Sequence, residues 1–153
     1  MRARTLLLGG LILLIGLAGC DGKEFGADSF VGTWAETGSS KPLLPAESQR
    51  VPGRLSFAGN GEFSSQEVPG ELLYSMPGMN SVAPVSGTGV WKVHKLDGNT
   101  ALLLTFQSIT APSGYQVPNS TELLVDDLSR ETTLYFFLGD PDQGKRVEFR
   151  KVN

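Results

Sequence analysis

The chain contains one histidine, His94, the residue type best suited to proton transfer near neutral pH. A catalytic triad also needs a nucleophile and an orienting acid within hydrogen-bond reach, and the spacing of residues indicates neither partner. The adjacent carboxylates Asp126 and Asp127 would point to opposite faces of a strand, so they do not form a catalytic pair. The sequence therefore predicts no catalytic residues, and it favours a surface position for His94.

Two short segments contain residue types that could bind a metal. Residues 140–144 have the sequence Asp-Pro-Asp-Gln-Gly, which is similar to the start of a calcium loop but lacks the further acids such a loop needs. Met76 and Met79 offer two thioethers, too few for a copper(I) site. We therefore expect a turn at 140–144, apolar contacts for the two methionines, and neither a metal nor another cofactor.

An apolar segment lies between two proline-containing stretches in the middle of the chain. Its large apolar residues are Leu72, Leu73, Tyr74, Met76 and Met79. If the segment is exposed, these side chains form a patch that contacts a ligand or a partner. If it folds back onto the domain, they are buried, and the first three residues could add a short strand.

The reactive residue with the clearest sequence context is Cys20, the only cysteine in the chain. Before it stand Arg2 and Arg4, an apolar run over residues 6–15 and a few small residues, which is the layout of a secretory signal. The apolar run is too short to span a bilayer comfortably. An ordinary signal peptide followed by a chance cysteine is the alternative interpretation.

Residues 17–20, Leu-Ala-Gly-Cys, resemble the lipobox of bacterial lipoproteins. The resemblance implies that the Cys20 thiol is lipidated, that the chain is cut before it, and that the new amine is acylated, for example with palmitate. Several acyl chains give stable anchoring, at about 0.8 kcal/mol per buried CH₂. In some Gram-negative bacteria an aspartate in the place of Asp21 retains a lipoprotein in the inner membrane. The resemblance thus implies an envelope location facing the periplasm, with the inner membrane favoured and the outer membrane as the alternative.

These features divide the chain into a signal peptide (1–19), a lipidated tether (20–29) and one domain (30–153). Without Arg2 and Arg4, the 13 basic residues fall to 11, against 16 acidic ones. This acidic balance argues against binding to nucleic acid and against peripheral binding to anionic lipid.

The domain has a pattern of short strands separated by turn residues, with no sustained helical periodicity. We expect eight strands, at residues 30–37, 55–57, 63–66, 87–96, 100–109, 121–126, 132–138 and 146–152. Three connections are tight and four are longer, and they alternate along the chain. In an up-and-down sheet the tight turns would then lie at one end, with both termini, and the longer loops at the other. Eight such strands close into an all-β barrel, whereas an open-edged β-sandwich is the alternative.

Gly32-Thr33-Trp34 resembles the Gly-x-Trp motif of lipocalins, and the strand pattern is similar along most of the domain. The resemblance implies that Trp34 packs across the closed end of the barrel, that Arg150 covers its ring, and that residues 38–53 partly cover the mouth. It also implies non-enzymatic binding of a small apolar ligand or lipid at the mouth. The alternative is a protein-interaction module, such as an inhibitor or immunity-type lipoprotein that binds an envelope protein.

Overall fold

The computed structural model describes residues 25–38, 51–73, 83–110, 119–127 and 131–152. They form a closed antiparallel barrel in which each strand pairs with the next along the chain and the last pairs with the first. Closure leaves no sheet edge open to pairing with another chain. The strands are β1 (Gly32–Glu36), β2 (Arg54–Phe57), β3 (Glu62–Val68), β4 (Val85–Leu96), β5 (Asn99–Thr110), β6 (Ser120–Asp126), β7 (Thr133–Phe137) and β8 (Arg146–Val152).

The predicted eight-stranded, up-and-down, lipocalin-like barrel is confirmed, and the β-sandwich alternative is wrong. The extra strand suggested for residues 72–74 is not found. A 3-10 turn, Gly70–Leu72, occupies this part of the chain, and Tyr74 lies outside the described residues. Two other 3-10 turns, Ala27–Ser29 and Pro141–Gln143, precede β1 and β8 respectively.

The strand order places the two kinds of connection at opposite ends of the barrel. The β2–β3, β4–β5 and β6–β7 connections lie at the end where β1 begins and β8 ends, which we call the closed end. The other four connections join strand ends at the opposite end, which we call the loop end. The topology therefore confirms that the strand ends joined by the tight turns lie with the start of β1 and the end of β8, opposite the strand ends joined by the longer connections.

The β4–β5 turn has the backbone conformation that its residue types predict. Asp97 and Gly98 have φ values of 48° and 83°. Two consecutive positive φ angles match the twist of the flanking strands in a two-residue hairpin, and aspartate and glycine tolerate them better than most residues.

Aromatic side chains fill the closed half of the barrel interior. The ring centroids of Phe57 and Trp91 are 5.1 Å apart, and those of Phe63 and Phe106 are 5.0 Å apart with an edge-to-face orientation. All four side chains are buried. Their bulk is accommodated by Gly89, whose place in β4 lies between Phe63 and Phe106.

Candidate functional site

The closed end is sealed by an indole and the segment that leads into β1. The Trp34 side chain is only 1% exposed, and its Nε1–H donates a hydrogen bond to the Phe30 carbonyl oxygen at 2.8 Å. Phe30 is fully buried, and its ring contacts those of Phe25 and Trp34. The tether was expected to run to residue 29, and within the described residues Phe25 already packs against the core.

A lysine covers the Trp34 ring. Lys151 lies opposite Trp34 in the β1–β8 register, and its Nζ is 6.0 Å from the ring centroid, where it also donates a hydrogen bond to the Ser29 carbonyl oxygen at 3.3 Å. Its stem crosses Gly32, where an added Cβ would lie 2.9 Å from the lysine Cε and where φ is +126°. The backbone conformation favours glycine at this position of the Gly-x-Trp motif, whereas the end of the flexible lysine side chain can move aside for a Cβ.

The prediction that Arg150 covers the ring is wrong. Arg150 lies opposite Ala35, one position away from Trp34, so its side chain points to the outer face of the barrel. There its Nη1 is 3.9 Å from Glu131 Oε2, and both side chains are largely exposed.

At the loop end, the turn over residues 69–73 folds into the barrel. Leu72 and Leu73 are 3% and 5% exposed, and both belong to the core. The Thr121 hydroxyl at the start of β6 donates a hydrogen bond to the Leu72 carbonyl oxygen at 2.7 Å, which fastens the turn across the barrel. Of the two alternatives for this segment, folding back therefore holds for Leu72 and Leu73. Tyr74, Met76 and Met79 lie outside the described residues, and ligand or partner contact by the five residues stays a prediction.

The loop end also contains a buried acid that the sequence analysis missed. Glu36, the last residue of β1, is 7% exposed, and its Oε2 accepts a hydrogen bond from the Gly53 backbone N–H at 3.1 Å. The sequence did contain a signal for this burial. Trp34 and Glu36 are two residues apart on β1, and such residues share a face of the strand. This carboxylate gives the barrel interior one fixed polar group near the loop end.

His94 lies on the outer face, as predicted, but it is only 25% exposed and has a partner. Its Nε2 is 3.1 Å from Glu122 Oε1, so the two side chains meet across β5, where His94 lies opposite Ala101 and Glu122 lies opposite Leu103. Among the described residues, no group of three or more His, Cys, Asp and Glu side chains is placed to hold a metal.

The turn at residues 140–144 has the predicted turn chemistry. The Asp140 side chain accepts a hydrogen bond from the Asp142 backbone N–H at 3.0 Å, and Gly144 adopts the left-handed conformation that ends the turn.

A charged cluster on the outer face joins the last three strands. Arg146 contacts Asp126 at 2.9 Å through Nη1 and Glu148 at 2.7 Å through Nε, and its guanidinium carbon lies 4.6 Å from the centroid of the Tyr135 ring. Partial burial is the largest single influence and lowers the pKa of Arg146, but the two carboxylates together outweigh it and raise the pKa above its usual value. The stabilisation that this shift represents is fully present below the ordinary arginine pKa and is lost only as the pH rises through the raised value.

We expect Arg146→Met to lower the free energy of unfolding by about 1–2 kcal/mol, because it removes two charge-assisted hydrogen bonds and a cation–π contact. Arg150→Met is the matched control on the same strand. Its pair with Glu131 is long and exposed, so the expected loss is under about 0.5 kcal/mol. Urea unfolding of both variants measures the difference, and equal losses would contradict the assigned role of Arg146.

A shallow groove of about 500 Å³ lies on the outer face of β1–β5. Hydroxyl groups of adjacent strands line it in one row: Thr33, Ser56, Ser64 and Thr88. The Thr33 and Ser56 hydroxyls are hydrogen-bonded to each other at 3.2 Å. This row of hydroxyl groups depends on the register of four strands, so it could not be identified from the sequence alone.

No protein-family model matches the chain, and no solved structure matches it significantly. One similar curated protein is the "probable potassium transport system protein Kup 1" of Chromobacterium violaceum, which is 30% identical over 97 residues. The match covers 53% of this chain and 15% of that protein, so the chain corresponds to only a small part of the relative. Within the ranges that the structure describes, no helix has the length and apolarity to cross a membrane.

Proposed function

We propose that the protein is a non-enzymatic lipoprotein of the cell envelope, anchored through Cys20, whose barrel binds a small apolar molecule or lipid at the loop end. The observation that supports this most is the burial of Leu72 and Leu73 inside the rim of a closed barrel. Aromatic rings fill the closed half, so an apolar ligand would bind at the loop end, in the place that the two leucines take in this structure.

The turn that inserts the leucines is fastened to β6 by one side-chain hydrogen bond, from Thr121 to the Leu72 carbonyl oxygen. A ligand that takes the place of the leucines must displace this turn. A part-buried hydrogen bond such as this one contributes about 1 kcal/mol, which corresponds to a factor of about five in an equilibrium constant.

Thr121→Val is therefore expected to bind an apolar probe about fivefold more tightly than the parent protein. A fluorescent long-chain fatty acid is a suitable probe, and its emission on binding gives the affinity. Thr33→Val is the matched control, because its hydroxyl is bonded to Ser56 on the outer face, away from the interior.

Native mass spectrometry of the protein extracted from membranes tests the same proposal without an added probe. We expect a bound apolar molecule in addition to the acyl chains. If neither the parent nor Thr121→Val binds the fatty acid, and no adduct is found, ligand binding at the loop end is refuted.

A second candidate function is protein interaction, with the connections at the loop end contacting an envelope protein. The close ring contacts among Phe57, Phe63, Trp91 and Phe106 favour this alternative, since a filled interior needs no ligand. A stoichiometric protein partner that is captured by the parent and lost on deletion of residues 69–84 would support it over ligand binding.

A further inference from the structure

The first described residues are fixed to the closed end of the barrel. The contacts that hold them include the Phe25 ring against the Phe30 ring at 5.6 Å, the Trp34 indole N–H to the Phe30 carbonyl oxygen, and Lys151 to the Ser29 carbonyl oxygen. The indole hydrogen bond is buried, so detaching this segment would expose Phe30 and open the base of the barrel. The chain length available to a tether therefore ends at Phe25.

Five peptide steps separate Cys20 from Phe25. A fully extended chain covers about 3.3–3.6 Å per residue, so these steps span at most about 18 Å. The 12 residues of β4 rise about 3.4 Å each, and with the usual tilt of barrel strands they give the barrel a height of roughly 30 Å. The tether is thus shorter than the barrel, and it cannot run along the wall to let the loop end reach the anchor.

Charge attraction would not hold the closed end of the barrel against the membrane. Among the residues that the structure describes, the exposed charged side chains of the closed end are five acidic and three basic: Asp28, Glu62, Asp97, Asp127 and Glu131, with Lys95, Arg150 and Lys151. An acidic surface is repelled by anionic headgroups, so the orientation would come from the short tether itself.

We propose that the closed end is the surface that faces the lipid bilayer, held within about 18 Å of the headgroups by the five-step tether, with the loop end directed away from the membrane. This inference rests on the proposed anchoring at Cys20. It implies that the loop end takes its ligand or partner from the aqueous side rather than from the anchoring leaflet.

Energy transfer to the bilayer tests the orientation. Lipidation consumes the only native thiol, so Gly59→Cys at the closed end and Gln143→Cys at the loop end each provide a single labelling site. Both positions are exposed, and a Cβ at Gly59 meets only Val31 at 4.0 Å. The labelled, lipidated full chains are reconstituted in vesicles of phosphatidylcholine and phosphatidylethanolamine that contain a headgroup-labelled acceptor lipid.

We expect clearly stronger transfer from position 59 than from position 143, because the two positions lie at opposite ends of the barrel, and even β8, which is shorter than β4, spans roughly 20 Å along the barrel axis. Inserting about 20 Gly/Ser residues between positions 24 and 25 gives a flexible tether of roughly 25–30 Å, which should largely remove the difference. Equal transfer with the native tether, or stronger transfer from position 143, overturns the proposed orientation. A chain that does not associate with vesicles at all overturns the anchoring at Cys20, and with it this inference.

Discussion

Gly89→Ala is expected to lower the free energy of unfolding by about 3 kcal/mol or more, at the upper end of the range for overpacked cores. A Cβ at this position would overlap the Thr105 carbonyl oxygen and would lie 2.8 Å from the Phe63 ring and 2.9 Å from the Phe106 Cα. Two of these three neighbours are backbone atoms, which cannot move aside without breaking the pairing of β4 with β5. The aromatic contacts that fill the closed half of the barrel therefore depend on the absence of a side chain here.

Gly26→Ala is the matched control for this prediction. Gly26 has an extended backbone with φ −79°, and a Cβ there meets no atom within 4 Å. We expect its unfolding free energy to stay within about 0.5 kcal/mol of the parent value, as is usual for surface substitutions. Denaturant unfolding followed by tryptophan fluorescence measures both variants, and a Gly89→Ala protein as stable as the control would show that the closed half is less tightly packed than the structure indicates.

The fold was predictable because its signals are local. Alternation of apolar and polar residues marked the strands, and glycine with asparagine or aspartate marked the tight turns, as at Asp97 and Gly98. The alternation of long and short connections then predicted which strand ends share an end of the barrel. None of these inferences required knowledge of which residue pairs with which across the sheet.

The failed prediction for Arg150 depends on pairing register. Arg150 and Lys151 are neighbours in the sequence, but only Lys151 lies opposite Trp34 and shares its face of the sheet. A register shift of one residue exchanges the two faces of a strand, so the choice between these two cations required the β1–β8 pairing. The contact of Arg146 with Asp126 likewise joins β8 to β6 across β7, and no sequence spacing encodes it.

The candidate site was predictable only in outline. The sequence identified residues 72–79 as an apolar segment, but it left open whether the segment is exposed. Leu72 and Leu73 are buried among core residues that are distant in the chain, and their turn is hydrogen-bonded to Thr121, which is 49 residues away. The buried acid Glu36 was missed because an acidic residue at a strand end is ordinarily exposed.

Cys20→Ser is expected to abolish the incorporation of labelled palmitate completely. The proposed anchoring begins with lipidation of the Cys20 thiol, and a serine hydroxyl is far less nucleophilic than a cysteine thiolate. Since single acyl chains bind membranes reversibly and several give stable anchoring, loss of lipidation should also release or mislocalise the protein. Thermal unfolding of the barrel should stay unchanged, because the first core contact within the described residues is made by Phe25, five residues after Cys20.

A displaced thiol tests whether the position of Cys20, and not only its chemistry, determines lipidation. Ser29→Cys in the Cys20→Ser background restores one exposed cysteine, nine residues after the lipobox. We expect no labelling of this double variant, since the lipobox resemblance places the acyl-accepting thiol directly after residues 17–19. Labelling of Cys20→Ser at the parent level would show that palmitate enters elsewhere and that the lipobox interpretation is wrong. Labelling of the double variant alone would show that any exposed thiol is acylated, and residues 17–20 would then no longer define the anchor.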